Sequence, residues 1–249
     1  ILDDKEFTNL PINIKANILI VELKFMLIPN ETIDYLRELF KKNQTGISNI
    51  HSSSYLKTLN YVKYFENFDT KFFIDIGFEK TSLIIYKKNK LKYINYLPIG
   101  GAHITKDISK VLNISLDDSE SFKQKINQSN TNINNDKTND LIIKVIHARM
   151  EEIIDLSFKR LENYDFLLNT NSILIFTGDG SKILSKNSIF LKEKYNVFNE
   201  MSFFEESSDL ICSSGYNYMF SENKDEAILT KRKLLKKGFF EKLFYFFSK

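Results

Sequence analysis

The stretch from Phe72 to Asp107, FFIDIGFEKTSLIIYKKNKLKYINYLPIGGAHITKD, decides the fold class. Its apolar run Phe72-Phe73-Ile74 ends in Asp75-Ile76-Gly77. Two further β-type runs come next, Ser82 to Tyr86 and Leu91 to Leu97, joined by the turn-forming Lys88-Asn89-Lys90. Such runs bounded by turn residues read as strand, loop and hairpin. Pro98 and Gly100-Gly101 break the hairpin, and a helix is expected to begin near Thr105. A carboxylate and several glycine amides thereby sit at the ends of neighbouring elements. That arrangement can cradle phosphate: amides in a tight turn donate to its oxygens, Thr81 offers a hydroxyl, and Asp75 can hold Mg²⁺ through water.

A lone DxGxxxT occurs in many folds, so the information lies in the motifs downstream of it and in their order. Asp75-Ile76-Gly77 and Thr81 are succeeded by Leu97-Pro98-Ile99-Gly100-Gly101, then Ile104-Thr105-x-Asp107-Ile108, then Ser119-Glu120-x-x-Lys123. The series resembles the second phosphate loop and nucleotide-contacting region of the actin-like ATPases, and most closely the FtsA family of bacterial cell-division proteins. Arg149 and Glu152 in HARMEEI resemble that family's helical R-x-E-E-I segment, and Phe176-Thr177-Gly178-Asp179-Gly180-Ser181 resembles its glycine-rich adenosine loop. The resemblance covers nearly the whole chain at low identity.

It implies an α/β, actin-like (ribonuclease H-like) ATPase fold, present in part, with a remnant of the inserted SHS2-type subdomain. It implies ATP and Mg²⁺ contacts at Asp75, Gly77, Thr81, Gly100, Gly101, Gly178 and Gly180, with Glu120 and Lys123 reaching ribose and adenine. Read from the residues alone, Glu120 and Lys123 are three apart on a helix and make an ordinary surface ion pair worth a few tenths of a kcal/mol. Three departures bear on the nucleotide. Phe78, Glu79 and Lys80 stand where the family carries glycines and a threonine, and Glu79 would repel phosphate. Asp179 replaces a usual glycine. The phosphate loop of the first large domain has no counterpart in this sequence. The expectation is therefore a degenerate ATP site without hydrolysis, in which Asp75 is the sole candidate to position Mg²⁺ through water.

With 249 residues, 43% hydrophobic and 27% charged, the chain has the composition of an ordinary globular protein of one or two domains. A net charge of +3 is too small an imbalance to imply nucleic acid. The single cysteine, Cys212, excludes an internal disulfide framework and fits a reducing compartment. His51, His103 and His147 lack ligand spacing, so no metal site is expected. No apolar run approaches the ~18 residues of a spanning helix, and no signal peptide opens the sequence. Residue 1 is Ile and the chain opens in what reads as mid-domain, so a fragment or truncated product is expected.

Along the chain, Ile12 to Leu27 becomes continuously apolar and reads as a strand entering a sheet interior. Pro29-Asn30 stops it, and Asn30 caps a helix from Glu31 to Lys42 whose Ile33, Leu36, Leu39 and Phe40 share a face. Gly46 ends that unit, Ile47 to Ile50 reads as a short strand, and Ser53 to Phe65 as a helix. Leu112 to Gln128 is helical, with a start signal in Ser115-x-x-Asp118. Asn127 to Asp140 (NQSNTNINNDKTND) is too polar to repay ordering and reads as a disordered loop. Leu141 to Glu162 regains helical period, with Leu141, Val145, Ile146, Ile153, Ile154, Phe158 and Leu161 inward, and Arg149 pairs with Glu152 or Glu151. Ser172 to Phe176 is a buried strand, and Asp209 to Phe220 a helix in which Gly215 permits close packing. On the resemblance, residues 1–48 end the inserted subdomain, and 49–69 belong to the first actin-like domain. Residues 70–126 and 171–220 form the second, 127–170 a reduced FtsZ-docking-like subdomain, and 221–249 a linker and anchor.

The tail stands apart. Five of the seven residues from Lys231 to Lys237 are Lys or Arg, Lys231, Arg232 and Lys233 leading. On a helix from Gly238, Phe239, Phe240, Leu243, Phe244, Phe246 and Phe247 make one apolar face. A basic run beside an aromatic amphipathic helix suits an in-plane membrane anchor: rings enter the acyl boundary and cations meet anionic lipid. The combined expectation is an actin-like cell-division protein at the cytoplasmic face of the bacterial inner membrane. Its partners would be an FtsZ-like division protein, further copies of itself in polymers, and anionic membrane lipid. A type IV pilus assembly actin-like protein and a small-molecule kinase of the same superfamily are the alternatives.

Overall fold

In the computed structural model, residues 1–3, 5, 7, 13–21, 25–128, 137–161, 171–185, 191 and 194–220 are described. The chain divides into two compact units, residues 37–219 and residues 1–36 with 220–249. The larger is built on one five-stranded sheet. Its strands are β1 (Thr70–Ile76), β2 (Thr81–Lys87), β3 (Lys90–Leu97), β4 (Ser172–Thr177) and β5 (Glu200–Phe203). Their spatial order is β3-β2-β1-β4-β5. β1, β2 and β3 pair antiparallel, whereas β4 adds parallel to β1 and β5 parallel to β4. A meander continued by parallel strands is the ribonuclease H-like arrangement that the sequence implies.

Every residue of β1 and β4 is buried, as befits strands at the centre of a sheet covered on both sides. Alternate side chains go to opposite faces. Phe72, Ile74, Ile76, Leu83, Ile85, Leu174 and Phe176 join one core, which takes in Ile104 and Ile108 of α3 (Gly101–Leu112), Ile126 of α4 (Leu116–Gln128) and Ile142, Ile146, Met150, Ile153 and Ile154 of α5 (Lys137–Phe158). Phe73, Ile84, Tyr86, Ile173 and Ile175 face the other way, onto Tyr61 of α2 (Ser53–Tyr61) and Val62 of the 3₁₀ turn after it. A short α6 (Lys182–Ser185) succeeds the β4 turn, and α7 (Ser208–Phe220) brings Tyr218 against Tyr55 and Leu56 of α2.

Most expected elements form, and the differences have local causes. The hairpin turn uses Lys88 and Asn89, both at positive φ, the geometry of a two-residue hairpin loop matched to strand twist. The helix after Gly100 starts at Gly101, four residues before Thr105, because Gly101 and Ala102 already have carbonyl acceptors at Gly77 and Phe78. Ser115 does cap α4: its hydroxyl accepts the Asp118 amide at 3.1 Å and donates to the Asp118 carboxylate at 2.7 Å. The loop expected over 127–140 is shorter, since α4 runs through Gln128 and α5 begins at Lys137; residues 129–136 lie outside the described ones. Leu141, expected inward, is exposed just after the first turn of α5. Residues 47–50 form no strand. A methyl group at Gly215 would meet Leu56 only at 3.9 Å, so glycine is not demanded there.

In the smaller unit Leu2 bridges to Lys5 and Leu19, Ile1 and Ile20 exchange main-chain hydrogen bonds, and the Asp3 carboxylate accepts the amides of Asn17 and Ile18. Of the strand expected from Ile12 to Leu27, the described residues 13–21 and 25–27 form only the bridge at Leu19, and residues 12 and 22–24 lie outside the described ones. Ile18 to Val21 and Phe25 to Leu27 stay exposed, Leu27 at 89%, because the described residues there supply no ladder for an inward face to pack behind. α1 (Asn30–Lys42) takes in Asn30 as its first residue and buries no side chain.

Candidate functional site

The loops that leave the carboxyl ends of β1, β3 and β4 converge, and glycine is the reason that they can. In the β1–β2 loop the Gly77 amide donates to Lys80 O at 2.8 Å. The β3–α3 turn lies directly on that loop: a Cβ on Gly100 would stand 2.6 Å from Gly77 O and 2.7 Å from Phe78 O. The β4 turn closes from the other side. Gly178, at φ +84° and ψ 157°, occupies a conformation all but reserved for glycine. Its missing Cβ would lie 2.5 Å from Asp75 Oδ1, and that of Gly180 2.7 Å from Ile76 Cγ2. All five glycines singled out in the sequence, Gly77, Gly100, Gly101, Gly178 and Gly180, are thus brought together.

The amides of three of them are already engaged within the chain. The Gly101 amide donates to Gly77 O at 2.9 Å and the Ala102 amide to Phe78 O at 2.7 Å, so two of the unpaired donors that open α3 point at main-chain carbonyls. The Gly100 amide donates to His103 Nδ1 at 3.2 Å. Thr81, fully buried, gives its hydroxyl to Ile99 O at 2.7 Å. Phe78, Glu79 and Lys80 are exposed, and Asp179 faces solvent in an ion pair with Lys182 at 2.6 Å.

Asp75 is 6% exposed and meets a partner that sequence reasoning missed. Lys57 of α2 donates to Asp75 Oδ1 at 2.9 Å and to Glu206 Oε2 at 2.9 Å, and the Thr177 hydroxyl donates to the other oxygen of Glu206. Burial works against the charge on Lys57, but Asp75 and Glu206 outweigh it and raise the ammonium above the ordinary lysine value. Lys57 was unremarkable in sequence because its neighbours on α2 are polar and apolar in turn. Glu206 lies in the irregular segment after β5, a strand whose short pattern gives no clear signal in the sequence.

At the far side of the same loops, Lys123 of α4 donates to Gly101 O at 3.2 Å and to the Thr105 hydroxyl at 2.8 Å, and pairs with Glu120 at 2.6 Å. Thr105 donates to the same Glu120 oxygen at 2.5 Å. Burial pushes the Glu120 carboxyl up, while the bonds from Lys123, Thr105 and Gln124 pull it down further, leaving it below the usual range. Arg149 makes its main contacts with Asp107 of α3, through Nε at 2.5 Å and Nη2 at 3.0 Å, and pairs with Glu152 at 2.6 Å. The expectation named only the helix neighbours; the bidentate partner on α3 is a tertiary contact. This ion pair braces α5 against α3.

A family profile described as cell division protein FtsA matches residues 72–199, the span from β1 to the edge of β5 that holds all three converging loops. This chain belongs to the FtsA family. Two curated FtsA proteins, from two strains of Helicobacter pylori, are each 29% identical to it over 122 residues. The match takes in 49% of this chain and 25% of each relative, so it spans a quarter of the length of those FtsA proteins. Among solved structures, MreB5 of Spiroplasma citri bound to ADP is similar with a TM-score of 0.59 at 16% identity, over 77% of this chain and 65% of that one. A PilM–PilN type IV pilus biogenesis complex is similar with a TM-score of 0.54 at 16% identity, over 75% and 54%. The fold of this FtsA-family chain is accordingly actin-like.

For ATP with Mg²⁺, the groups read from the sequence do not fit as they stand. Two α3 amides, the Thr81 hydroxyl and one Asp75 oxygen are all committed inside the chain, and Asp75 is backed against Gly178 with little room for the waters that Mg²⁺ retains. Glu120 and Lys123 keep part of their surface exposed beside Gly101. The membrane residues Lys231, Arg232, Lys233, Phe239, Phe240, Leu243, Phe244, Phe246 and Phe247 lie outside the described residues. Among the described residues no helix is long and apolar enough to cross a membrane.

Proposed function

We propose that this chain is part of a membrane-associated, actin-like cell-division protein that tethers an FtsZ-like division protein to the cytoplasmic face of the bacterial inner membrane, and that its ATP site is degenerate. The observation that carries the reading is the FtsA match over residues 72–199, which coincides with the three loops meeting at the carboxyl end of the sheet. Polymer formation with further copies and docking of the FtsZ-like partner are carried over from the family resemblance. The likeness to a PilM–PilN complex is one of fold and brings no separate function.

The degenerate site is supported by the internal commitment of its donors. Phosphoryl transfer draws almost entirely on positioned charges and donors, and here they are spent on the protein itself. The chain therefore neither hydrolyses ATP measurably nor binds it tightly. Low-micromolar ATP binding in calorimetry, abolished by Asp75→Asn, would sink this part of the reading.

The anchor is supported by the tail sequence. Each large apolar residue contributes roughly 1.5–3 kcal/mol if fully buried, less at an interface, and each Lys or Arg beside anionic lipid about 1 kcal/mol. Liposome co-sedimentation tests it with the full chain, a form ending at Thr230, and Phe240→Glu with Phe244→Glu. The full chain pellets with anionic vesicles and the other two stay in solution. Equal pelleting of all three ends the membrane reading, and pelleting that ignores anionic lipid removes the role of Lys231 to Lys237.

A further inference from the structure

Lys57 is a buried ammonium that nothing in the ATPase resemblance asks for. It bridges three segments far apart in sequence: α2, the end of β1 at Asp75, and the segment after β5 at Glu206. All three side chains are at least nine-tenths removed from water. Two carboxylates so close to one another would not both stay ionised in such a place without a cation between them. In many phosphate sites that cation is a metal ion, and in this chain it is an amine.

We propose that Lys57 supplies from within the chain the positive charge that a divalent cation would otherwise bring to Asp75, so that this cleft is closed by a resident ammonium and takes no metal. Three features of the packing support it. The ammonium is 2.9 Å from an oxygen of each carboxylate, and the Thr177 hydroxyl satisfies the second oxygen of Glu206. α2 is fastened to β2 on either side of Lys57, by Ser82 donating to Ser54 at 3.0 Å and by a hydrogen bond between Thr58 and Tyr86 at 3.2 Å, so the lysine is held where it is needed. Gly178 backs onto the same Asp75 oxygen, and a compact desolvated ammonium fits there where an octahedral, partly hydrated Mg²⁺ does not. The consequence is a set of loops held together without ligand.

The inference rests on the reading of these loops as a nucleotide cleft, and its test uses no nucleotide. Mn²⁺ uptake by the full chain is followed by the electron paramagnetic resonance signal of the free ion, alongside the thermal midpoint in EDTA and in Mg²⁺. Wild type takes up no Mn²⁺ saturably, its midpoint is the same in both buffers, and Lys57→Arg behaves alike. Lys57→Met exposes the carboxylates to solution ions, takes up one Mn²⁺ per chain and gains thermal stability with it; adding Glu206→Gln removes that uptake. Saturable uptake by wild type that Asp75→Asn abolishes overturns the proposal, as does a folded Lys57→Met chain that takes up none. If Lys57→Met does not fold, wild type alone decides: a midpoint raised by Mg²⁺ and lowered by EDTA overturns it, and an unmoved one supports it. Tight ATP binding in EDTA would end the degenerate-site reading and leave the resident ammonium standing, whereas wild-type Mn²⁺ uptake without ATP binding would do the reverse.

Discussion

Lys57 and Lys123 flank the same glycine loops, and each meets a carboxylate and stands beside a threonine hydroxyl that bonds that or a neighbouring carboxylate, yet they are in different solvents. The Lys57, Asp75 and Glu206 side chains are 6–8% exposed, whereas Lys123 and Glu120 are 14% and 33% exposed. In the first cluster water cannot take over if a partner is lost; in the second it can. The teaching is that chemically similar ion pairs a few residues from one turn differ in weight because of burial, and that only the outer one keeps polar groups accessible to a ligand.

The largest effect expected is from Lys57→Ala, which leaves two buried carboxylates unpaired and should cost about 3–5 kcal/mol in urea unfolding of the full chain. A loss below about 1 kcal/mol would mean that water already reaches the cluster, and the contrast with Lys123 would collapse. Next comes Gly178→Ala. Its backbone conformation alone costs a non-glycine residue on the order of 1–3 kcal/mol, and the new methyl would meet Asp75 Oδ1 and Ile76 O at 2.5 and 2.6 Å. The thermal midpoint should fall by several degrees; an unchanged midpoint would show that the β4 turn does not lie on β1. Smaller still, Lys123→Ala should cost at most about 1 kcal/mol, a loss that shrinks in high salt because the pair is screened.

The smallest and most diagnostic effect is in pH. Glu120 is held below its unfolded value, so the unfolded chain binds more protons on the acid side. Its contribution is complete above the usual glutamate pKa and is lost as pH falls through the lower folded value. Lys57 is held above the ordinary lysine value of 10.5, so its contribution is complete below that value and is lost as pH rises through the folded pKa. Midpoints measured from neutral to acid pH should fall less for Glu120→Gln than for wild type. The alkaline limb should be flattened by Lys57→Met and untouched by Glu120→Gln, and a Glu120→Gln chain with an altered alkaline limb would show that the two clusters are one network.

What the sequence determined by itself is what short-range physics controls. Phe72 to Leu97 alternates apolar side chains between turn residues, so its three strands and hairpin were legible, as were the capped start of α4 and the long apolar period of α5. The glycines were legible as loop-makers, because no other residue tolerates such close backbone approach. Tertiary structure alone decided how those loops use their donors. Whether the Gly101 amide meets a phosphate or a carbonyl, and whether Asp75 meets a metal or Lys57, depends on α2 lying across the sheet and on β5 delivering Glu206 next to it. β5 is four residues long with a faint pattern, and residues 57, 75 and 206 are joined by no local signal. The same dependence misled the reading of the described residues between Ile12 and Leu27, where an apolar run suggests a strand, but a strand also needs a neighbour to pair with and a core to face, and neither is encoded in the run itself.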